Sequence, residues 1–333
     1  MRVVRSLLFL VLAATLGFAQ DSAQSKSTDP APSSSTKPSD SAASTKTKTP
    51  EPPRASPKPV EATVSEKPTT LSQDQIRDLI RLCAENDLKN DKLLRDYTYV
   101  ERQEMHHLNG SGQVKSTETE TSDVMEIYGE QVQKLIVKND KPLPAKDAQK
   151  EDEKIQKIID KRKNESDSEH KKRLEKEEKE REQEREFVRE VADAFNFKFV
   201  GTETLNGREN YVIDGEPKPG YQPVHKEAKI LPKVRFRVWV DRADSQVAKL
   251  DVEIIDTISW GLFVARLHKG SRVMLEQVRV NDEVWLQQHV AVKVDARIAL
   301  LKDFNVDVDV TDRDYKKFRT DSKIVGVGEM PSQ

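Results

Sequence analysis

A single cysteine stands in the 333-residue chain, so no disulfide can close within it. Ile76, Leu79, Ile80 and Cys83 recur at helical spacing, which puts the thiol on a buried stripe as a small core residue; a reactive thiol or an intermolecular bridge is the alternative. Large apolar residues are scarce too. Hydrophobic residues make up 35% of the chain and charged residues 34%, so the ordered part must concentrate its core in few places. No apolar run reaches the roughly 20 residues that a bilayer-spanning helix needs, and no stable transmembrane anchor is expected. Charge of one sign is missing as well. A net charge of −2 provides no broad basic field, which excludes nucleic acid as the expected partner.

Catalytic and metal signatures are equally absent. The six histidines include no His-x-x-x-His pair and have no cysteine partners, so zinc has no support. His106 and His107 are adjacent on an expected strand and point to opposite faces. No Gly-x-Ser-x-Gly elbow, Walker loop or dinucleotide fingerprint occurs. The acidic run Asp307–Asp314 fails the EF-hand pattern, because Asp312 stands at its sixth position and Phe318 at its twelfth; a solvated strand edge is the better reading. The expectation is a protein without cofactor or metal and not an enzyme, with an exported hydrolase of dispersed site the least supported class.

What is present begins with an export signal. Arg2 and Arg5 precede the apolar run Leu7–Phe18, and Gly17-Phe18-Ala19 offers a cleavage site before Gln20. The chain is expected to be exported, cleaved after Ala19, and not a lipoprotein, since no cysteine follows the apolar run. Residues 20–70 are rich in Ser, Thr, Pro and Lys and cannot bury enough surface to offset the entropy of ordering, so they read as a disordered linker. Residues 71–320 read as one domain and 321–333 as a flexible tail.

Within the domain, Ser72 and Gln75 form a capping box for a helix to about Asn90. A three-stranded meander follows, over Tyr97–Leu108, Val114–Tyr128 and Val132–Lys138. In the insertion 145–194 roughly two residues in three are charged. Two helices are expected there, near 146–163 and 168–195, the second capped by Ser166 and Glu169. Ile155, Ile158 and Ile159 form a short sticky patch, and Phe187, Val188, Val191, Ala192 and Phe195 an apolar end that should dock on the body. The remainder reads as a solvated arm. A coiled coil would need apolar a and d positions, and these are mostly charged.

Strands then resume at Phe197–Thr204 and Glu209–Asp214 around the hairpin signal Asn206-Gly207, before a Pro- and Gly-rich loop. Val234–Asp241 and Gln246–Asp256 alternate apolar and charged residues across the turn Asp241–Ser245. Trp260–Leu267, Arg272–Val280, Val284–Val294 and Phe304–Val310 complete ten or eleven strands. Trp239 stands out of phase with its valine neighbours. Helices lie apart from strands, so the fold class is α+β with a large antiparallel sheet.

Tyr97-Thr98-Tyr99, Tyr211-Val212-Ile213 and Val238-Trp239-Val240-Asp241, in this order after a leader and a helix, resemble the LolA/LolB-like superfamily of outer-membrane lipoprotein-sorting proteins. The likeness is clearest over 197–310 and weaker over 72–138. It implies a periplasmic protein with a curved, unclosed half-barrel wrapped over helices and a hydrophobic cavity for acyl chains. Trp239, Asp241 and Trp285 match positions of the family pattern, whereas Leu286-Gln287 replaces its usual proline. The linker and the charged insertion are additions to the simple carriers.

The expected activity is therefore non-catalytic binding of a lipid or lipidated partner. The cleft should be walled by Phe236, Val238, Leu250, Val252, Ile254, Leu275 and Trp285 from strands, with Ile76, Leu79 and Ile80 from the covering helix. The alternative is a cell-envelope protein–protein or stress-sensing module that docks through the arm at 146–190.

Overall fold

Capping chemistry sets where the first helix starts. The Ser72 hydroxyl accepts from Gln75 N and Gln75 Oε1 accepts from Ser72 N, opening α1 (Gln73–Leu94). The computed structural model describes residues 70–260, 265–298 and 302–318. The leader, nearly all of the linker and the tail expected at 321–333 lie outside the described residues.

After α1 come β1 (Tyr97–Leu108), β2 (Val114–Ile127), β3 (Glu130–Lys138) and the two-residue β4 (Lys141–Pro142). The insertion forms α2 (Ala145–Lys163) and α3 (Asp167–Ala194), the latter opened by the Ser166–Glu169 capping box. β5 (Phe195–Leu205) and β6 (Arg208–Pro217) turn at Asn206 and Gly207, whose φ values of 50° and 76° supply the left-handed pair of a tight hairpin. A 3₁₀ helix (Glu227–Lys233) leads into β7 (Val234–Asp241) and β8 (Val247–Ile254). β9 (Ile258–Trp260), β10 (Ala265–Leu267), β11 (Arg272–Val280), β12 (Val284–Ile298) and β13 (Lys302–Lys317) follow.

All described strands join one 13-stranded antiparallel sheet in the order β4-β3-β2-β1-β13-β12-β11-β8-β7-β6-β5, with the β9–β10 pair attached to β12. β4 and β5 end the path without meeting, so the sheet is an unclosed half-barrel. Register aligns the apolar positions into rows. One row runs Ile213–Val238–Leu250–Leu275–Val290–Val310, and the next Phe236–Val252–Val273–Val292–Val308–Met105. Both rows belong to the main core beneath α1 and the end of α3. Each fully buried aliphatic side chain in them contributes about 1.5–3 kcal/mol. Gly215 is required at its place, because a Cβ there would lie 2.5 Å from the Phe236 ring. Phe236 instead packs edge-on against Phe195, with centroids 4.9 Å apart. Charged residues between the rows form cross-strand pairs such as Arg235–Glu253 and Arg237–Asp214, which set register more than they add stability.

Several expectations are corrected. The strand expected over Trp260–Leu267 is two short strands, β9 and β10, and the apolar residues 261–264 lie outside the described residues. β12 and β13 run beyond the lengths read from sequence, and the two-residue β4 carried no periodic signal. The insertion is not simply a solvated arm. Ile155, Ile158 and Ile159 of α2 close a small core with Met125, Ile127 and Val132, while Leu174 in the middle of α3 stays 48% exposed. A corner network ties the two helices: Arg173, then His170, hold the Glu165 carboxyl down at about 2.

Candidate functional site

A cavity of ≈ 210 Å³ lies between the inner face of the sheet, α1, the end of α3 and the 3₁₀ helix. Each element contributes through a periodicity already described. α1 turns Ile80, Cys83 and Ala84 toward it, and α3 adds Phe187, Val188 and Val191 at helical spacing. β7 and β8 supply alternate residues: Phe236 and Val238, then Leu250, Val252 and Ile254. Leu275 from β11 and Ile230 and Leu231 from the 3₁₀ helix add to the wall. Asp87, Ser271, Arg272, Gln277 and Lys293 are the polar members of the lining. Arg272 is committed elsewhere, with both arms of its guanidinium on Asp251. Burial pushes the Cys83 thiol up to about 12.

Seven of the ten residues expected at a cleft line this cavity: Ile80, Phe236, Val238, Leu250, Val252, Ile254 and Leu275. Ile76 is fully buried in the core beside it, and Leu79 packs against that core. Trp285 is outside the lining. Asn90 grips its backbone, accepting from Trp285 N at 2.7 Å and donating to Trp285 O at 2.6 Å. Its indole Nε1 donates to Asp244 Oδ2 at 3.0 Å, and the Arg208 guanidinium lies 5.5 Å over the ring. Trp285 pairs with Arg279, four residues along β11 from Leu275 and on the far side of a register slip between Glu276 and Gln277. Sequence reasoning missed Ile230 and Leu231, whose only signal was an apolar pair within a proline-rich loop.

The buried carboxylates Asp241 and Asp312 lie away from the cavity lining. Asp241, 1% exposed, accepts both arms of Arg208 at 2.7 and 2.8 Å and the N–H groups of Ala243 and Asp244. Burial alone would raise its pKa, but Arg208 and the backbone donors outweigh it and hold the carboxyl below the usual range. Across the sheet, Asp312 faces Glu101 on the neighbouring strand. Burial, then the Glu101 charge, push Asp312 up to about 8. Tyr99 and Tyr315 beside this pair are also raised, burial being the main cause. Trp239 is buried by polar partners, its Nε1 donating to Glu203 at 2.7 Å and Lys249 covering its ring. Among the described residues, no group of three or more His, Cys, Asp or Glu could hold a metal ion.

No protein-family model and no curated protein matches the chain. Solved structures do. An outer membrane lipoprotein-sorting protein domain from Vibrio parahaemolyticus is 12% identical, with 74% of this chain and 94% of that one covered at a TM-score of 0.32. A DUF1329 family protein from Desulfovibrio piger is 11% identical, with 76% and 95% covered at 0.31. A LolA superfamily protein from Nitrosomonas europaea is 8% identical, with 71% and 93% covered at 0.24. At these identities and scores the likeness carries no argument, and function must come from the site.

Proposed function

We propose that this chain is a non-catalytic carrier that holds the acyl chain of a lipid, or of a lipidated partner, between its half-barrel and its helices. The observation that carries this reading is the cavity wall. A space of ≈ 210 Å³ walled almost throughout by aliphatic and aromatic side chains gives water few hydrogen-bond partners, and such a space favours an apolar guest. Its wall also lacks a nucleophile paired with a base, the minimum for covalent catalysis: the thiol of Cys83 is held neutral by burial. Export by the leader at 1–19 would bring the carrier to the periplasm. Among the described residues, no helix is long and apolar enough to cross a membrane.

Docking of an envelope protein through 146–190 receives less support, because the isoleucines of α2 are used internally on β2 and β3. Native mass spectrometry of the purified protein, with displacement of a fluorescent fatty acid, tests the carrier reading. The expected result is a bound mass in the lipid range and saturable displacement. A protein that is always free of lipid and blind to the probe would sink it.

A further inference from the structure

An unclosed sheet has two free edges, each presenting N–H and C=O groups ready to pair with another chain. Along the main path, a side chain meets the backbone of β5, while β4 and side chains of α2 meet that of β3. On β5, Gln73 uses its amide as a substitute peptide unit: Oε1 accepts from Phe197 N at 3.0 Å and Nε2 donates to Phe197 O. Beyond it a register slip between Phe199 and Gly201 interrupts the strand, a bulge of the kind that spoils edge pairing. On β3, β4 pairs with Val137 and Lys138, and Leu143 N donates to Ile136 O. The stretch just before is taken by α2. Leu135 N donates to Glu151 Oε2 at 3.1 Å, and Lys154 Nζ donates to Gln133 O at 3.2 Å.

These two contacts match what a neighbouring strand would make. Successive residues of a strand point their backbone groups to opposite sides, so positions 133 and 135 face the same edge. One receives a donor and the other an acceptor, from a Glu and a Lys one helical turn apart that also pair with each other at 3.2 Å. Lys134 is pinned to Asp152 of the same helix at 2.5 Å. Ile155, 8% exposed, seats the helix on Val132 and Ile127.

We propose that α2 is an edge guard: it fills the backbone positions of β3 at Gln133 and Leu135 through which a second copy of this chain would add its own β3. Two identical strands pair antiparallel about a two-fold axis, and with β5 still blocked by Gln73 that pairing closes at two copies rather than growing into a fibre. The guard gives the charged insertion a task on its own sheet, whatever the cavity holds.

The test separates the hydrogen bonds from the docking. In the full chain, Glu151→Ala should speed hydrogen exchange at the Leu135 amide about tenfold, the effect of losing one charge-assisted bond; unchanged exchange would refute the guard. Replacing Ile155, Ile158 and Ile159 together by Ser should release α2 and double the mass read by light scattering. Adding Leu135→Pro to that variant removes the edge N–H and should return the monomer mass, since proline is tolerated where an edge N–H faces outward. A released variant that stays monomeric overturns the proposal. So does a dimer that survives Leu135→Pro, because exposed isoleucine partners and not the edge would then join the copies.

Discussion

Asp312→Asn should stabilise the protein increasingly as pH rises. Asp312 is 3% exposed. It accepts from Gln287 Nε2 at 3.0 Å through Oδ2, while Oδ1 has no hydrogen-bond partner. Burial first, and the opposing Glu101 second, raise its pKa from 3.8 to about 8. A carboxyl raised in the folded state favours folding while protonated. That contribution is complete below the unfolded value near 3.8 and is lost as pH climbs through the folded value near 8. At about 1.4 kcal/mol per pKa unit, the span amounts to a loss on the order of 5 kcal/mol between pH 4 and pH 9. An amide has no proton to lose there. Urea denaturation of both proteins at pH 4, 6 and 8 measures the gap. The variant should gain on the parent by a few kcal/mol across that window. A gap of the same size at pH 4 and pH 8 would refute the reasoning.

Three further outcomes follow from the same geometry. Val252→Trp places a large ring in the cavity wall, so it should abolish fatty-acid uptake at under about 1 kcal/mol of stability; an overpacked solid core would instead lose about 1–3 kcal/mol, which denaturation reads directly. Asp241→Ala strands part of the Arg208 charge and frees two turn N–H groups, at about 3 kcal/mol in urea; since the Asp241 carboxyl is depressed, its contribution is present above pH 4 and fades as pH falls through the folded value. Cys83, with its thiol near 12, should react with a chromogenic disulfide at pH 8 only on unfolding, its thiolate being about one in ten thousand, and prompt stoichiometric colour in native buffer would contradict its burial.

Elements with local chemistry were legible in the sequence. Ser72 with Gln75 and Ser166 with Glu169 mark boundaries by hydrogen bonds made within a few residues, and Asn206-Gly207 by its left-handed backbone. Alternation located the strands that carry the cavity, and so brought Phe236, Val238, Leu250, Val252 and Ile254 to one wall. Alternation says nothing of how far along its strand a residue stands, and Trp285, paired with Arg279 near the hairpin end, is held by Asn90, Asp244 and Arg208 instead. The isoleucine patch of α2 was legible, but its polar attachment was hidden for another reason. Its attachment uses Glu151 and Lys154 on backbone atoms of β3, and in a segment so rich in charge no pattern distinguishes these two residues from their neighbours. Ile230 and Leu231 had no periodic context at all.

The position of β13 between β1 and β12 has a consequence for how the chain is made. Among the described residues, the strands of the N-terminal meander pair with the C-terminal strands only through this last strand, so the sheet cannot become continuous until residues 302–317 have left the ribosome. Until then β1 and β12 each carry an open flank, and β12 shows Val290, Val292 and Val294 beside it. Sequence-distant pairing of this kind is slow, because the loop must close before any contact rewards it. The newborn protein is thus most exposed to wrong partners just before its final strand arrives, and a chaperone that holds it should recognise that valine-rich flank.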